Sequence, residues 1–142
     1  MTTIEKVIAL QDVDIFSQVS AAELAYLAAI ATEHDYAAGA VIYNDKDAAD
    51  SMYLVVEGKV RLHKEELDIT ESGPGQAFGT WALFDEEPRV SAATAREDAM
   101  VLRLDKDDFI DLLADNVEIT QGVLKALVSR VRGLIGRVGG ER

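Results

Sequence analysis

Residues Gly75–Ala95 of the 142-residue chain read GQAFGTWALFDEEPRVSAATA. This stretch places one arginine, Arg89, after a short apolar segment that follows Gly79 and after an acidic run. A glycine has no Cβ and lets the backbone approach a ligand closely, and a short helix starting after it would present free N–H groups to an anion. An arginine adds charge-assisted hydrogen bonds to the oxygens of that anion. The order of these residues therefore predicts a pocket for a phosphate group.

The charge of the remaining chain makes such a pocket a local exception. The formal net charge is −12 at pH 7, and it is unevenly spread. From residue 121 onward there are five basic residues and one acidic residue, against nine basic and 25 acidic residues before it. An acidic body repels polyphosphate backbones, so we expect no nucleic-acid partner. Arg89 would supply the local cation that a small anionic ligand needs.

The composition indicates one globular domain over residues 1–142, with 49% hydrophobic and 28% charged residues. There is no cysteine, which excludes disulfides and thiolate metal sites. The N-terminus lacks the basic start and clean apolar core of a signal peptide. No apolar run approaches the roughly 20 residues that cross a bilayer. We therefore expect a cytoplasmic protein with no direct membrane insertion.

The spacing of apolar residues divides the chain into three parts. Residues 1–31 are predicted to be helical, because Ser20 and Glu23 form a capping box ahead of apolar residues at helical spacing. Residues 32–104 alternate short β-branched or aromatic runs with turn residues, which predicts many short strands and hence a barrel or a jelly roll. Residues 105–138 return to helical spacing.

The C-terminal part begins at Asp105, a candidate N-cap, and later carries a regular apolar seam. Its positions alternate spacings of three and four: Val117, Thr120, Leu124, Leu127, Val131, Leu134 and Val138. Such a repeat is typical of a coiled coil, although Gly133 and Gly136 lower the helix propensity near its end. The seam either packs across the strands as an intramolecular lid or pairs with a second copy. Its regularity favours a homodimer through the C-terminal helix.

The motifs and their order along the chain resemble a known family. Phe78-Gly79-Thr80-Trp81-Ala82-Leu83 is followed by Pro88-Arg89-Val90-Ser91. Upstream, DAADSMYLVVEGKVRL carries a hairpin glycine at Gly58, and LRLDKDDFIDLL opens the C-terminal helices. From about Ile15 to Arg132, the chain resembles the cyclic nucleotide-binding domain. This module is found in bacterial catabolite activators, kinase regulatory subunits and cyclic-nucleotide-gated channels.

The resemblance implies a mainly β fold with flanking helices: a double-stranded β-roll (jelly roll) with a phosphate-binding cassette at residues 78–91. It implies a cyclic nucleotide ligand, cAMP or cGMP, and no metal. The cassette residues implied in binding are Phe78, Gly79, Thr80, Trp81, Ala82, Leu83, Arg89, Val90 and Ser91. On the last helix, Thr120 and Leu124 are the candidates for contact with the base.

Thr80 departs from the family's cassette, which usually has glutamate here to accept a hydrogen bond from the ribose 2′-hydroxyl. Threonine is shorter and neutral. Because a hydrogen bond to a charged group contributes roughly 1.5–3 kcal/mol, its loss would weaken binding by about ten- to 150-fold. Val90 also occupies a position where a small hydroxyl residue is common.

Two functions from different classes follow. The first is a regulatory module that senses cAMP or cGMP through the cassette and transmits the signal through the C-terminal helix. The alternative is a ligand-free interaction or dimerisation module of a larger protein, which the Thr80 and Val90 departures favour. We do not expect an enzyme, because His34 and His63 lie far apart in the sequence and no nucleophile–base constellation is visible.

Overall fold

The computed structural model of the chain describes the backbone of residues 1–139 and the side chains of residues 1–137. The side chain of Val138, the last position of the predicted seam, lies outside the described residues. Within residues 1–139, no helix is both long and apolar enough to cross a bilayer.

The N-terminal part contains two helices, α1 at Thr3–Leu10 and α2 at Ala21–Ile30, with a 3-10 turn at Asp14–Phe16 between them. α2 begins as the sequence predicts. The Ser20 hydroxyl accepts a hydrogen bond from the Glu23 N–H, and the Glu23 carboxylate accepts one from the Ser20 N–H. α1 begins with a capping box of the same kind, formed by Thr2 and Glu5.

Eight strands form two antiparallel sheets, which confirms the predicted β-roll. The strands are β1 (Ala31–Tyr36), β2 (Val41–Tyr43), β3 (Ser51–Glu57), β4 (Val60–Lys64), β5 (Leu67–Ser72), β6 (Ala77–Phe78), β7 (Ala92–Ala95) and β8 (Ala99–Asp105). The first sheet has the order β1-β8-β3-β6, and the second has the order β2-β7-β4-β5. The hairpin predicted at Gly58 is wrong, because β3 and β4 belong to different sheets and do not pair with each other. At Gly58 the chain instead turns from the first sheet to the second, with φ at +85°, and a Cβ there would clash with the Asp98 carbonyl oxygen. Glycine is therefore required there.

The first sheet is covered on both faces, which explains why β3 is buried almost throughout. Met52 and Leu54 of β3 join a core with the helices, in which Phe16 and Phe109 are fully buried. The residues that alternate with them in β3 join a second core between the two sheets, together with Phe78 of β6. Since successive side chains of a strand point to opposite faces, one strand contributes to both cores.

The C-terminal part contains α3 (Lys106–Asp115) and α4 (Val117–Gly139). Asp105 occupies the N-cap position of α3, but its side chain makes no capping hydrogen bond. Its carboxylate instead accepts a hydrogen bond from Arg103 Nε at 2.6 Å. α4 is continuous through its glycines. At Gly122 a Cβ would lie 2.8 Å from the Gln18 carbonyl oxygen, so this glycine lets α4 pack closely against the N-terminal part.

α4 has one buried and one exposed apolar face. Ile119, Val123 and Ala126 are buried. Much of the predicted seam is exposed: the exposed apolar residues of α4 are Val117, Leu124, Val128, Val131, Leu134 and Ile135. Among the residues that the structure describes, the roll therefore leaves this face uncovered.

Candidate functional site

A cavity of about 270 Å³ opens beside β6, where the chain leaves the first sheet. The structure brings most of the predicted cassette to its wall: Phe78, Gly79, Thr80, Trp81, Ala82, Arg89, Val90 and Ser91. Its volume is just below the range of about 300–1,000 Å³ that is common for small-molecule sites. The segment after β6 and the approach to β7 thus form one concave site.

Gly79 shapes the floor of the site. Its φ is +72°, a left-handed conformation, and it is the N-cap of a one-turn 3-10 helix at Thr80–Leu83. A Cβ at Gly79 would lie 2.6 Å from Arg89 Nη1. Within residues 1–139, the backbone N–H groups of Thr80 and Trp81 donate no hydrogen bond to a backbone carbonyl. The glycine therefore allows both the turn and the close approach of the guanidinium, and the turn leaves two amide donors beside the cavity.

Arg89 lines this cavity and is 6% exposed. Its Nη2 donates to the Ser51 carbonyl oxygen at 2.7 Å, and its Nη1 makes a longer contact of 3.4 Å with the Gly79 carbonyl oxygen. Its Nε is buried and has no hydrogen-bond partner among the described residues. An unmatched buried donor costs stability, so this part of the guanidinium lacks a partner that the described residues do not supply.

The charge of Arg89 is only weakly compensated. The carboxylate nearest to it is that of Asp50, with Oδ1 at 4.0 Å from Nη2 and its side chain 69% exposed. The same oxygen lies 3.6 Å from Arg103 Nη2, so Asp50 is shared between two arginines. A desolvated cation with a distant, solvated partner favours an incoming anion.

An aromatic ring covers one face of the Arg89 guanidinium. The Arg89 Cζ lies 4.0 Å from the centroid of the Tyr43 ring and 5.9 Å from that of Tyr53. The Tyr43 ring contacts Tyr53 and Phe78, with centroids 6.0 and 6.2 Å apart. Burial raises the pKa of the Tyr43 phenol to about 12, although the charge of Arg89 acts in the opposite direction. Tyr43 is therefore a neutral phenol at physiological pH.

The rim of the cavity is more open than its floor. Trp81 and Val90 line it but are 66% and 60% exposed. Asp85 and Glu87 also line it. Arg130 reaches it from α4 and pairs with Asp14 at 3.1 Å. The rim therefore carries both signs of charge, whereas the buried charge is that of Arg89.

Three predicted site residues are not brought to this cavity. Leu83 is 3% exposed and packs in the core beneath the helices. The Thr120 hydroxyl donates to the Leu113 carbonyl oxygen at 2.8 Å. Leu124 lines a separate groove with Val128 and Val131 on the exposed face of α4. In this chain, the direction of α4 brings Arg130 to the cavity instead of Thr120 or Leu124.

Tyr43, Leu62 and Arg130 line the cavity although the sequence did not predict them as site residues. Tyr43 and Leu62 lie in short apolar runs, VIY at 41–43 and KVRLH at 59–63, which predict strands but do not show that their side chains reach a cavity. Arg130 stands out only as one of several basic residues in the C-terminal part. No local pattern marks these residues, because their place in the cavity depends on how the two sheets and α4 meet.

Comparison with known proteins agrees with this geometry. Residues 33–116, more than half of the chain, match the cyclic nucleotide-binding domain. The chain belongs to the cyclic nucleotide-binding domain family. Its fold resembles that of the N-terminal domain of a transcriptional regulator from Streptomyces coelicolor A3(2), with a TM-score of 0.81 and 28% identity. That match covers 85% of this chain and 90% of the other.

Two curated relatives carry cyclic AMP in their names. The chain is 28% identical to the CRP-like cAMP-activated global transcriptional regulator of Mycobacterium tuberculosis, over 83% of this chain and 55% of the relative. It is 33% identical to the cyclic AMP receptor protein of Thermus thermophilus, over 68% of this chain and 47% of the relative. The chain therefore spans about half the length of the curated relatives that it matches.

Proposed function

We propose that this cyclic nucleotide-binding domain senses cAMP or cGMP, with the phosphate bound at Arg89 and at the turn after Gly79. The observation that carries the proposal is the buried Arg89, which lines the cavity. Its Nε has no hydrogen-bond partner among the described residues, and the nearest carboxylate among them, that of Asp50, is 4.0 Å away and mostly in solvent. The amides of Thr80 and Trp81 add donors without backbone partners. A cyclic phosphodiester has one negative charge and oxygens that only accept hydrogen bonds, which matches this donor set.

The described residues of the cavity also support the placement of the rest of the ligand. Phe78 and Leu62 give it apolar walls, and Trp81 lies at the open rim. Thr80 supplies a hydroxyl where a carboxylate would accept the ribose 2′-hydroxyl. We therefore expect modest affinity and weak discrimination against a 2′-deoxy ligand, because the stronger, charged acceptor is missing.

The signal would leave through α4. Arg130 belongs to α4, lines the cavity and pairs with Asp14 of the N-terminal part. A ligand that contacts Arg130 would therefore act on the position of α4 directly. The free energy available for this shift equals the difference between the ligand's binding free energies for the two positions of α4.

A titration followed by the emission of Trp81 tests the proposal, because Trp81 is the only tryptophan and lines the cavity. We expect a saturable change with cAMP or cGMP, confirmed by calorimetry, and no change with adenosine, which lacks the phosphate. Absence of a response to both cyclic nucleotides at millimolar concentration would refute sensing by this chain.

The exposed face of α4 favours a second candidate function, a homodimerisation module that works without a ligand. Val131 and Leu134 are each more than half exposed, and apolar residues continue along the same face. Sedimentation of the full chain tests this function. We expect a dimer that Val131→Glu converts to monomer and that Glu118→Gln, at an exposed polar position of the same helix, leaves intact. A monomeric wild-type chain at high micromolar concentration would exclude it.

A further inference from the structure

Tyr43 and Arg89 are joined through the backbone as well as through their side chains. The Arg89 N–H donates to the Asp47 carbonyl oxygen at 2.8 Å, and the Lys46 N–H donates to the Arg89 carbonyl oxygen at 3.0 Å. Lys46 and Asp47 lie in the turn that directly follows Tyr43, the last residue of β2. These two hydrogen bonds place the arginine and the tyrosine side by side.

The Tyr43 ring also fixes the orientation of the Arg89 guanidinium. With the Tyr43 centroid 4.0 Å from Cζ, one face of the guanidinium is closed. The ring cannot easily turn away, because Tyr53 and Phe78 pack against it and themselves stack at 5.2 Å with an interplanar angle of 12°. A cation over an aromatic face is stabilised most where water is excluded, as it is here.

Without that ring, other groups would compete for Arg89. Asp50 lies 4.0 Å away, and Asp85 and Glu87 line the same cavity. An arginine side chain has several rotatable bonds, so a freed guanidinium would move towards these carboxylates. Its charge would then be neutralised by the protein instead of by a ligand.

We propose that Tyr43 is a positioning residue of the anion site, whose ring holds the Arg89 guanidinium by one face and keeps it away from the neighbouring carboxylates, so that its charge stays available to the phosphate. This inference rests on the proposed function for the identity of the anion, but the placement of Arg89 stands on its own. It assigns to Tyr43 a role that its strand motif does not suggest. The phenol hydroxyl has no part in it, so Tyr43→Phe retains the role and Tyr43→Met removes it while filling the space.

Proton–nitrogen NMR of the arginine Nε–H groups in the full chain tests the placement without any ligand. The wild-type Arg89 signal, assigned by its loss in Arg89→Lys, is expected upfield of the other arginine signals because of the Tyr43 ring current. It should stay there in Tyr43→Phe and lose the shift in Tyr43→Met. An Arg89 signal that lies among the other arginine signals in the wild type would overturn the proposal, even if Tyr43→Met does not fold.

Calorimetric titration with cAMP and with inorganic phosphate then tests the consequence for binding. We expect Tyr43→Phe to bind cAMP within about twofold of the wild type, and Tyr43→Met to bind both probes roughly tenfold more weakly. The matched control is Tyr36→Met, which changes a half-buried tyrosine that packs against the core between the sheets without lining the cavity. Equal cAMP affinity in Tyr43→Met and the wild type, or equal losses in Tyr43→Met and Tyr36→Met, would refute the role.

The two proposals fail in different ways. If the wild-type chain binds neither probe, the anion site is refuted, while the NMR signal of Arg89 still decides whether Tyr43 holds the guanidinium. If the wild type binds cAMP but the Arg89 signal is not shifted, the site stands and the positioning by Tyr43 is refuted.

Discussion

Arg89 and Arg96 belong to the same stretch of this acidic chain, yet they have opposite surroundings. The Arg96 side chain is 43% exposed and pairs with two carboxylates, those of Asp68 and Glu71. Hydrogen bonds from Arg61 and Arg96 hold the pKa of Asp68 below its usual value. The Arg89 side chain is 5% exposed, and the carboxylate nearest to it, Asp50, is 4.0 Å away and mostly in solvent.

The difference shows what each arginine contributes. Exposed ion pairs contribute little to stability, and Arg96 makes them where carboxylates are plentiful. A buried cation without a close partner costs free energy, so its presence at Arg89 needs another explanation. Carbonyl oxygens and an aromatic ring surround the Arg89 guanidinium, and one donor is left over. This arrangement keeps the charge available, which is what a site for an anionic ligand requires.

Replacing each arginine in turn would test this contrast most strongly. Arg89→Ala should weaken binding of cAMP by at least about 100-fold, because it removes charge-assisted hydrogen bonds worth roughly 1.5–3 kcal/mol each. Arg96→Ala should leave the affinity unchanged and alter the free energy of unfolding only slightly, because its ion pairs are exposed to solvent. Calorimetry and denaturant unfolding measure the two quantities. Similar cAMP affinities in Arg89→Ala and Arg96→Ala would contradict the contrast between the two arginines.

Thr80→Glu adds a carboxylate to the cavity and tests whether Arg89 then pairs with it, as Arg96 pairs with Asp68 and Glu71. In Thr80→Glu the new side chain can accept the ribose 2′-hydroxyl, and we expect cAMP to bind about ten- to 150-fold more tightly in a calorimetric titration. The affinity for 2′-deoxy-cAMP should not rise, since that ligand has no hydroxyl to donate. Weaker binding of both ligands would instead mean that the introduced carboxylate pairs with Arg89 and neutralises it.

Gly79→Ala tests the surroundings of Arg89 through geometry, because a Cβ at Gly79 would approach its guanidinium. Alanine in the left-handed region costs roughly 1–2 kcal/mol of stability. Its Cβ would also lie 2.6 Å from Arg89 Nη1, so we expect cAMP binding to weaken about tenfold as the guanidinium shifts.

Gly39→Ala is the matched control for this substitution. Gly39 has φ of +87°, but no atom lies within 4 Å of its added Cβ. It should lose similar stability and bind cAMP as the wild type does. Equal binding losses in the two variants would mean that the contact with Arg89 is not the cause.

The smallest effect concerns Tyr43 and is confined to alkaline pH. Burial raises the pKa of its phenol from 10.0 to about 12, so the folded chain holds this proton more tightly than the unfolded chain does. The associated stability is complete below pH 10 and is lost between pH 10 and about pH 12. Because phenylalanine has no phenol to ionise, the free energy of unfolding of Tyr43→Phe should fall less between pH 10 and pH 12 than that of the wild type, by about 2 kcal/mol or less. At pH 7 the substitution should have no such effect. Unfolding measured from pH 8 to pH 12 checks it, and Tyr26→Phe, which changes a tyrosine that is 56% exposed, is the control. An unchanged alkaline loss in Tyr43→Phe would contradict the assignment.

Local patterns were sufficient for much of the fold. The capping box at Ser20, the turn with positive φ at Gly58 and the short strands are present where their sequence signals predict them, although the turn at Gly58 joins the two sheets instead of closing a hairpin. These features depend on residues close together in the chain, and their physical causes act over one turn or one strand. Asp105 occupies the predicted N-cap position of α3, but its carboxylate accepts a hydrogen bond from Arg103 on β8 instead of capping the helix.

The sequence by itself determined the β-roll, its flanking helices and the pairing of Gly79 with Arg89 in one cassette. Only the tertiary structure decided which distant residues complete the site: Tyr43 beneath the guanidinium, Asp50 at a distance, and Arg130 instead of Thr120 or Leu124 from α4. The reason is physical. Spacing along the chain sets periodicity and local turns, whereas the neighbours of a buried charge are set by how separate elements pack, and no short stretch of sequence carries that information.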